Sequence, residues 1–336
     1  LALARVLVAA AISTASAAGQ QRARASAIEP DAAHAPVAAI TEAAITRAMS
    51  DHQLPGLSIA IVDGGRIVWA RGFGTTDSLQ RDSASAETVY PVGALSTLPT
   101  AIGLMQLVER GAVNLDAPVS RYLTDFHPVN RFRTPITILH LLTHRAGLVR
   151  EAPVGNSFDT TTAFLAATVA SLDSTALVFA PGARVKYSNA GISAAGLVVE
   201  RVAREPFASY IAQHVLAPLG MNESAFELSP ALASRVATGY AWSYDGRRAS
   251  ALRSRVGESP ALSMYSTVTD LGRLMIGVFA RDSERSSRVL RPATFAAMWG
   301  RQREGAGIGV WVDTIEGARE VAQSGAIDGV SSELRM

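Results

Sequence analysis

Glu87-Thr88-Val89-Tyr90-Pro91-Val92-Gly93-Ala94-Leu95-Ser96-Thr97-Leu98-Pro99-Thr100-Ala101-Ile102 is the stretch on which the fold turns. From Ala94 the spacing of Ile102, Met105, Leu107 and Val108 predicts a helix, with Gly111 as its C-terminal cap. Pro99 falls within the early turns, where it removes one N–H donor and distorts the turn. Ser96 stands two residues beyond Ala94, about 200° around a helix, so the two side chains point in different directions.

Outward from this helix, the pattern is sheet at both ends and helix between. Ile40 to Met49 has helical spacing. Pro55-Gly56 introduces Leu57-Ser58-Ile59-Ala60-Ile61-Val62-Asp63, which turns at Gly64-Gly65 into Arg66–Gly74, a predicted hairpin. Helices are expected at Thr137–Thr143, Thr161–Leu172, Ala190–Ala203, Phe207–Leu216 and Thr269–Phe279. Strand character returns at Gly309–Asp313, Glu320–Gln323 and Gly329–Leu334. The expected fold is α/β of the α+β type: an antiparallel sheet from both chain ends, flanked by helices, with an inserted all-helical region. Its sheet part covers about 35–90 and 225–336, and its helical part about 91–224.

Composition narrows the function. With 336 residues and 48% hydrophobic content the chain can bury a large core. Thirty-one basic against 29 acidic residues leave a net charge of +2, too little to imply a nucleic-acid partner. The absence of cysteine excludes disulfides, thiol nucleophiles, Fe–S clusters and a lipoprotein anchor. Arg5, the apolar run Val6–Ile12 and Ala15-Ser16-Ala17 have the layout of a secretory signal peptide over residues 1–17, with an alanine-rich tail as the other reading. Export to the periplasm or the extracellular space follows, with residues 18–34 as a linker and no membrane span once the signal is removed.

Several segments carry a family resemblance. Pro55-Gly56-Leu57-Ser58-Ile59-Ala60, Gln106–Gly111, Leu141–Leu148, Tyr187-Ser188-Asn189-Ala190-Gly191, Pro218–Met221 and Tyr265-Ser266-Thr267 occur in order from about residue 40 onward. Together with the opening stretch they resemble serine β-lactamases and penicillin-binding proteins of the class C type. That resemblance implies Gly-Ser-x-x-Lys where this chain has Gly93-Ala94-Leu95-Ser96-Thr97, so Ala94 stands for the nucleophile and Thr97 for the lysine. Tyr187 aligns with the tyrosine that manages the proton, and Asn189 with a ligand-binding amide. Gln323-Ser324-Gly325 aligns with the Lys-Thr-Gly strand motif, its basic residue replaced by a neutral amide. Leu262-Ser263 replaces a glycine pair of the family. Family members also continue past the strand at Val330–Leu334, which implies a truncated chain and a gap in the sheet.

These replacements remove the chemistry from its usual place. The sole lysine is Lys186, and arginine cannot act as a base because its pKa stays above ~12. Lys186 reads as a solvated charge, or as a relocated base if it reaches toward Tyr187. Ser324 has no evident base, and Tyr187 and Asn189 read equally as structural remnants. His140 and His144 have two-histidine metal spacing but no third ligand, and His144 fits an ordinary electrostatic role at a helix C-terminus. Gly72-Phe73-Gly74 is not followed by a helix and is no dinucleotide loop, so neither metal nor cofactor is implied. Three functions remain open: a non-catalytic relative that binds a peptide, peptidoglycan-like or acyl small-molecule ligand, an active hydrolase (esterase, D-alanyl peptidase or β-lactamase) with a rewired site, and a non-functional fragment.

Overall fold

The structure is a computed structural model that describes residues 27–77, 82–159, 164–251, 256–279, 289–300 and 304–336. The expected signal peptide, the first part of the expected linker and positions 161–163 lie outside the described residues.

Helix α1 (Ala35–Asp51) precedes strands β1 (Gly56–Asp63) and β2 (Arg66–Gly74), which pair antiparallel as the hairpin the sequence predicts. Trp69 on β2 is fully buried and packs with Ala38 and Ile45 of α1 in a small core of its own. The expected linker is not free where it is described. Ile28 exchanges two backbone hydrogen bonds with Ala70, Asp31 binds Arg66, and His34 reaches Asp63, so this segment is held along β2.

β3 (Tyr90–Pro91) leads into the decisive stretch. Here the continuous helix expected from Ala94 divides: Gly93–Ser96 is a 3-10 turn, and α2 runs from Thr97 to Glu109. Pro99 supplies the reason, since it has no N–H to donate toward Leu95 and its ring crowds that carbonyl. Beyond α2 the chain reverses through Gly111 at φ +72°, the predicted cap. Every residue from Thr97 to Leu107 is buried.

Helix α3 is short, Ile138–Leu142, and α4 runs Asn189–Ala203. Eleven successive residues of α4, Asn189 to Val199, are buried, as expected of a helix apolar on all sides. Packed together, α2 and α4 form the centre of the helical region, and their N-terminal ends carry the first two motifs of the site. Phe207–Ile211 continues into a π-helical turn, Ala212–Leu216, where the sequence predicts one plain helix.

A small hairpin, β4 (Tyr240–Trp242) with β5 (Arg248–Ser250), lies outside the elements predicted from sequence. β6 (Tyr265–Ser266) pairs with β3, and α5 (Val268–Phe279) packs on β1 and β2. The chain closes with β7 (Trp311–Ile315), β8 (Ala318–Ile327) and β9 (Val330–Arg335), an antiparallel sheet in the order β7-β8-β9. Among the described residues this sheet and the β1-β2 hairpin share no hydrogen bond. The mixed helix and sheet architecture is as expected, with its sheet in separate pieces.

Candidate active site

Three elements meet where the sequence motifs place them: the turn before α2, the N-terminus of α4, and β8. Gly93 adopts φ +52°, a conformation open to glycine, and a Cβ there would lie 2.9 Å from the Ala326 nitrogen. Gly325 crosses the same turn closely, since its Cβ would lie 2.1 Å from the Val92 oxygen and 2.8 Å from the Ala94 nitrogen. Gln323, two residues earlier on the same strand face, is 2% exposed, and its Nε2 donates to the Ala94 carbonyl at 3.0 Å. Its amide is thus engaged by the backbone. Ser324 lies between them, exposed, and strand alternation turns its hydroxyl to the opposite face.

No hydroxyl replaces the missing nucleophile at this turn. Ser96 is fully buried, donates to the Gly93 carbonyl at 2.5 Å and accepts from the Met264 nitrogen at 2.9 Å. Those bonds keep it in the scaffold, as its angular offset predicts. Lys186 is exposed, the solvated alternative of the two expected for it.

Tyr187-Ser188-Asn189 is positioned by a helix cap. Ser188 accepts from the Gly191 nitrogen at 2.9 Å and donates to the Val149 carbonyl at 2.6 Å, which fixes the entry to α4. The Ser188 nitrogen donates to Nδ1 of His144 at 3.2 Å. His144, in a left-handed conformation at φ +54°, has its ring 4.4 Å from that of Tyr187 and stacks on Trp311 at 5.8 Å. Burial pushes its pKa down to about 4, with Arg150 acting in the same sense against the Ser188 bond. His144 is therefore neutral, and the charged helix-end role expected from sequence does not hold, because burial withholds the solvent a cation needs. His140 instead completes a capping box with Thr137, each accepting from the other's backbone nitrogen. No cluster of three metal-ligating side chains occurs among the described residues.

Burial pushes the Tyr187 hydroxyl up to about 12, Arg150 opposing and Glu151 and Glu258 adding to the rise. At neutral pH it is a phenol, a proton donor and not a base. The Thr97 hydroxyl stands close enough to favour the ionised form, yet the two are not aligned as a hydrogen bond. The Arg150 guanidinium covers the Tyr187 ring at 4.9 Å and meets Glu151 at 3.1 Å.

Sequence reasoning missed Glu151 and Glu258. The Asn189 amide nitrogen donates to both Glu151 oxygens, at 3.1 and 2.9 Å. Glu258 is fully buried and takes the Ala152 N–H at 2.6 Å. Burial first, and the Glu151 carboxyl second, push Glu258 up to about 9, so it is protonated at neutral pH. Neither glutamate belongs to a local motif, and Ala152 and Glu258 are 106 residues apart, so no pattern in the chain announces the pair.

Thr97 Oγ1, Tyr187 OH, Asn189 Oδ1 and Glu258 Oε2 are all buried without a hydrogen-bond partner. Each such atom costs about 1–3 kcal/mol. The site thus holds a neutral histidine, a phenol, an amide and a carboxyl pair, with a methyl group where a nucleophile would stand.

The family model Beta-lactamase matches residues 41–331. The chain belongs to that family. Esterase EstB of Burkholderia gladioli is 30% identical over 205 residues, 57% of this chain and 52% of the esterase. Protein flp of Staphylococcus aureus (strain MW2) is 25% identical over 219 residues, 65% of this chain and 44% of flp. The chain spans about half the length of these curated relatives. The octameric penicillin-binding protein homologue from Pyrococcus abyssi matches with a TM-score of 0.78 and 27% identity, over 88% of this chain and 69% of that one. EstCE1, a hydrolase with promiscuous acyltransferase activity, matches at 0.71 with 22% identity over 83% and 85% of the two chains, which shows the fold alone.

Proposed function

We propose that this chain is an exported, non-hydrolysing member of the β-lactamase family whose cleft binds a peptide, a peptidoglycan-like fragment or an acyl small molecule. The observation that carries the reading is Ala94, a side chain without a nucleophilic atom, with the Gln323 amide bonded to its carbonyl. Thr97 three residues on is not ionisable, Tyr187 is held as a phenol, and the sole lysine is exposed. Loss of the nucleophile from a catalytic unit of this kind costs ~10⁶ in rate, leaving only binding and backbone donors. Ligand binding is favoured by Asn189 and Tyr187, whose partners hold them in place while one polar atom of each stays unpartnered. Export rests on Arg5, Val6–Ile12 and Ala15-Ser16-Ala17.

The test is labelling of purified protein with a fluorescent penicillin and a fluorophosphonate, read by intact mass. No adduct is expected, and a stoichiometric adduct on any residue overturns the reading. A peptidoglycan fragment or acyl ligand is expected to raise the melting temperature saturably. A flat response across those ligand classes favours a product without selected activity.

A further inference from the structure

The residues that carry the four unpartnered oxygens adjoin one another. Thr97, Asn189 and Glu258 are 0%, 4% and 0% exposed, so none of these atoms turns to bulk water. Thr97 stands beside the Tyr187 hydroxyl, Glu151 and Glu258 both act on that hydroxyl, and Asn189 is bonded to Glu151. The Asn189 amide is oriented by its two bonds to Glu151, which leaves Oδ1, an acceptor only. The group offers a fixed acceptor at Asn189 Oδ1, hydroxyls at Thr97 and Tyr187 that can accept, and a carboxyl pair that gains negative charge when Glu258 ionises. An anion would meet two carboxyls, and an apolar group would leave every oxygen unsatisfied.

We propose that Thr97, Tyr187, Asn189 and the Glu151–Glu258 pair form a subsite for a primary ammonium group. Its three N–H bonds match the acceptors Thr97 Oγ1, Tyr187 OH and Asn189 Oδ1, and its charge matches the carboxyl pair. A planar guanidinium is larger and carries its donors in a fixed fork, a poorer match to acceptors on two helix ends. The subsite rests on the ligand-binding reading above and narrows the ligand to one that presents an amine.

Protonation makes the idea testable. The charged and titratable groups facing Glu258 and Tyr187 are Glu151 and Arg150 beside them and His144 against the Tyr187 ring. His144 stays neutral through the working range, so its charge does not change. A bound cation favours the ionised Glu258, so binding releases a proton and affinity rises with pH, by at most about tenfold per unit, up to the pair's own titration.

The probe is methylammonium chloride, with sodium and potassium chloride at matched ionic strength, followed by melting temperature and by NMR titration from pH 6 to 9. A saturable response to methylammonium alone, stronger at higher pH, is expected. Glu258→Gln should remove the pH dependence and weaken binding about tenfold or more, while its retained Oε1 still takes the Ala152 N–H. Thr97→Lys, which brings its own ammonium to the same oxygens, should abolish the response without lowering the melting temperature. An equal response to sodium or potassium, no saturable response, or a response unchanged in both variants overturns the subsite. If an acyl ligand binds while methylammonium does not, the subsite falls and the binding reading stands. If methylammonium binds as expected and penicillin forms an adduct, the subsite stands and the non-hydrolysing reading falls.

Discussion

The two halves of the site are built in opposite ways. Around Ala94 every polar neighbour named above is satisfied: Gln323 bonds the Ala94 carbonyl, Ser96 bonds Gly93 and Met264, and Gly325 packs backbone to backbone. Around Thr97, a single turn onward, four buried oxygens stand without partners beside a carboxyl pair. The first half is closed by ordinary hydrogen bonds and packing. The second half is unfavourable for the folded state taken alone, because each unpartnered buried oxygen keeps its desolvation cost.

The sharpest way to break this contrast is to return the chemistry. Ala94→Ser alone should give no penicillin adduct by intact mass, because Thr97 supplies no base. The double variant Ala94→Ser with Thr97→Lys should give one, regaining part of the ~10⁶ lost with the nucleophile. If the double variant stays inert, the closed half of the site, with Gln323 in place, matters as much as the missing groups. Next in size is Gly325→Ala, whose methyl would meet the Val92 and Ala94 backbone at 2.1 and 2.8 Å. It should lower unfolding free energy by about 3 kcal/mol, measured by denaturant titration, as overpacking against atoms that cannot turn aside does.

The pH dependence separates the polar half from the rest. His144 falls from 6.5 to about 4 on folding, so its contribution is complete above pH 6.5 and is lost as pH falls toward 4. That loss is about 3 kcal/mol, and His144→Gln should flatten this acid limb of a stability profile. Glu258 acts in the other direction. Raised from 4.5 to about 9, it stabilises the fold fully below pH 4.5, and that contribution fades as pH rises through about 9.

Two small substitutions compare the halves directly. Gln323→Leu leaves the Ala94 carbonyl buried without its donor and should cost about 1–3 kcal/mol. Thr97→Val removes a hydroxyl that has no partner at nearly constant shape, and should raise stability by about 1 kcal/mol. Equal and opposite signs from chemical denaturation would confirm that one half is satisfied and the other is not. A loss of stability in Thr97→Val would erase the distinction.

Much of this molecule was legible in the chain because its determinants are local. The hairpin at Gly64-Gly65, the cap at Gly111 and the terminal strands follow from alternation, spacing and turn residues. Pro99 was legible as a distortion, and the structure gives it a form, the 3-10 turn ahead of α2. The β4-β5 hairpin was not foreseen, nor was the binding of residues 27–34 along β2, which depends on Ala70, Arg66 and Asp63. His144 carried a spacing signal that pointed to a metal or to a helix end. Its burial against Tyr187 and Trp311, which leaves it neutral, involves residues far away in sequence.

The sequence alone determined the family, alanine and threonine at positions 94 and 97, and the absence of any Ser-x-x-Lys, because these are matters of residue identity and order. Tertiary structure decided that Gln323 faces the Ala94 carbonyl while Ser324 faces away, and that Glu151 and Glu258 share one buried place with Asn189. The reason is that proton affinity and hydrogen-bond satisfaction depend on which groups burial brings within a few ångströms, and chain spacing does not encode that distance.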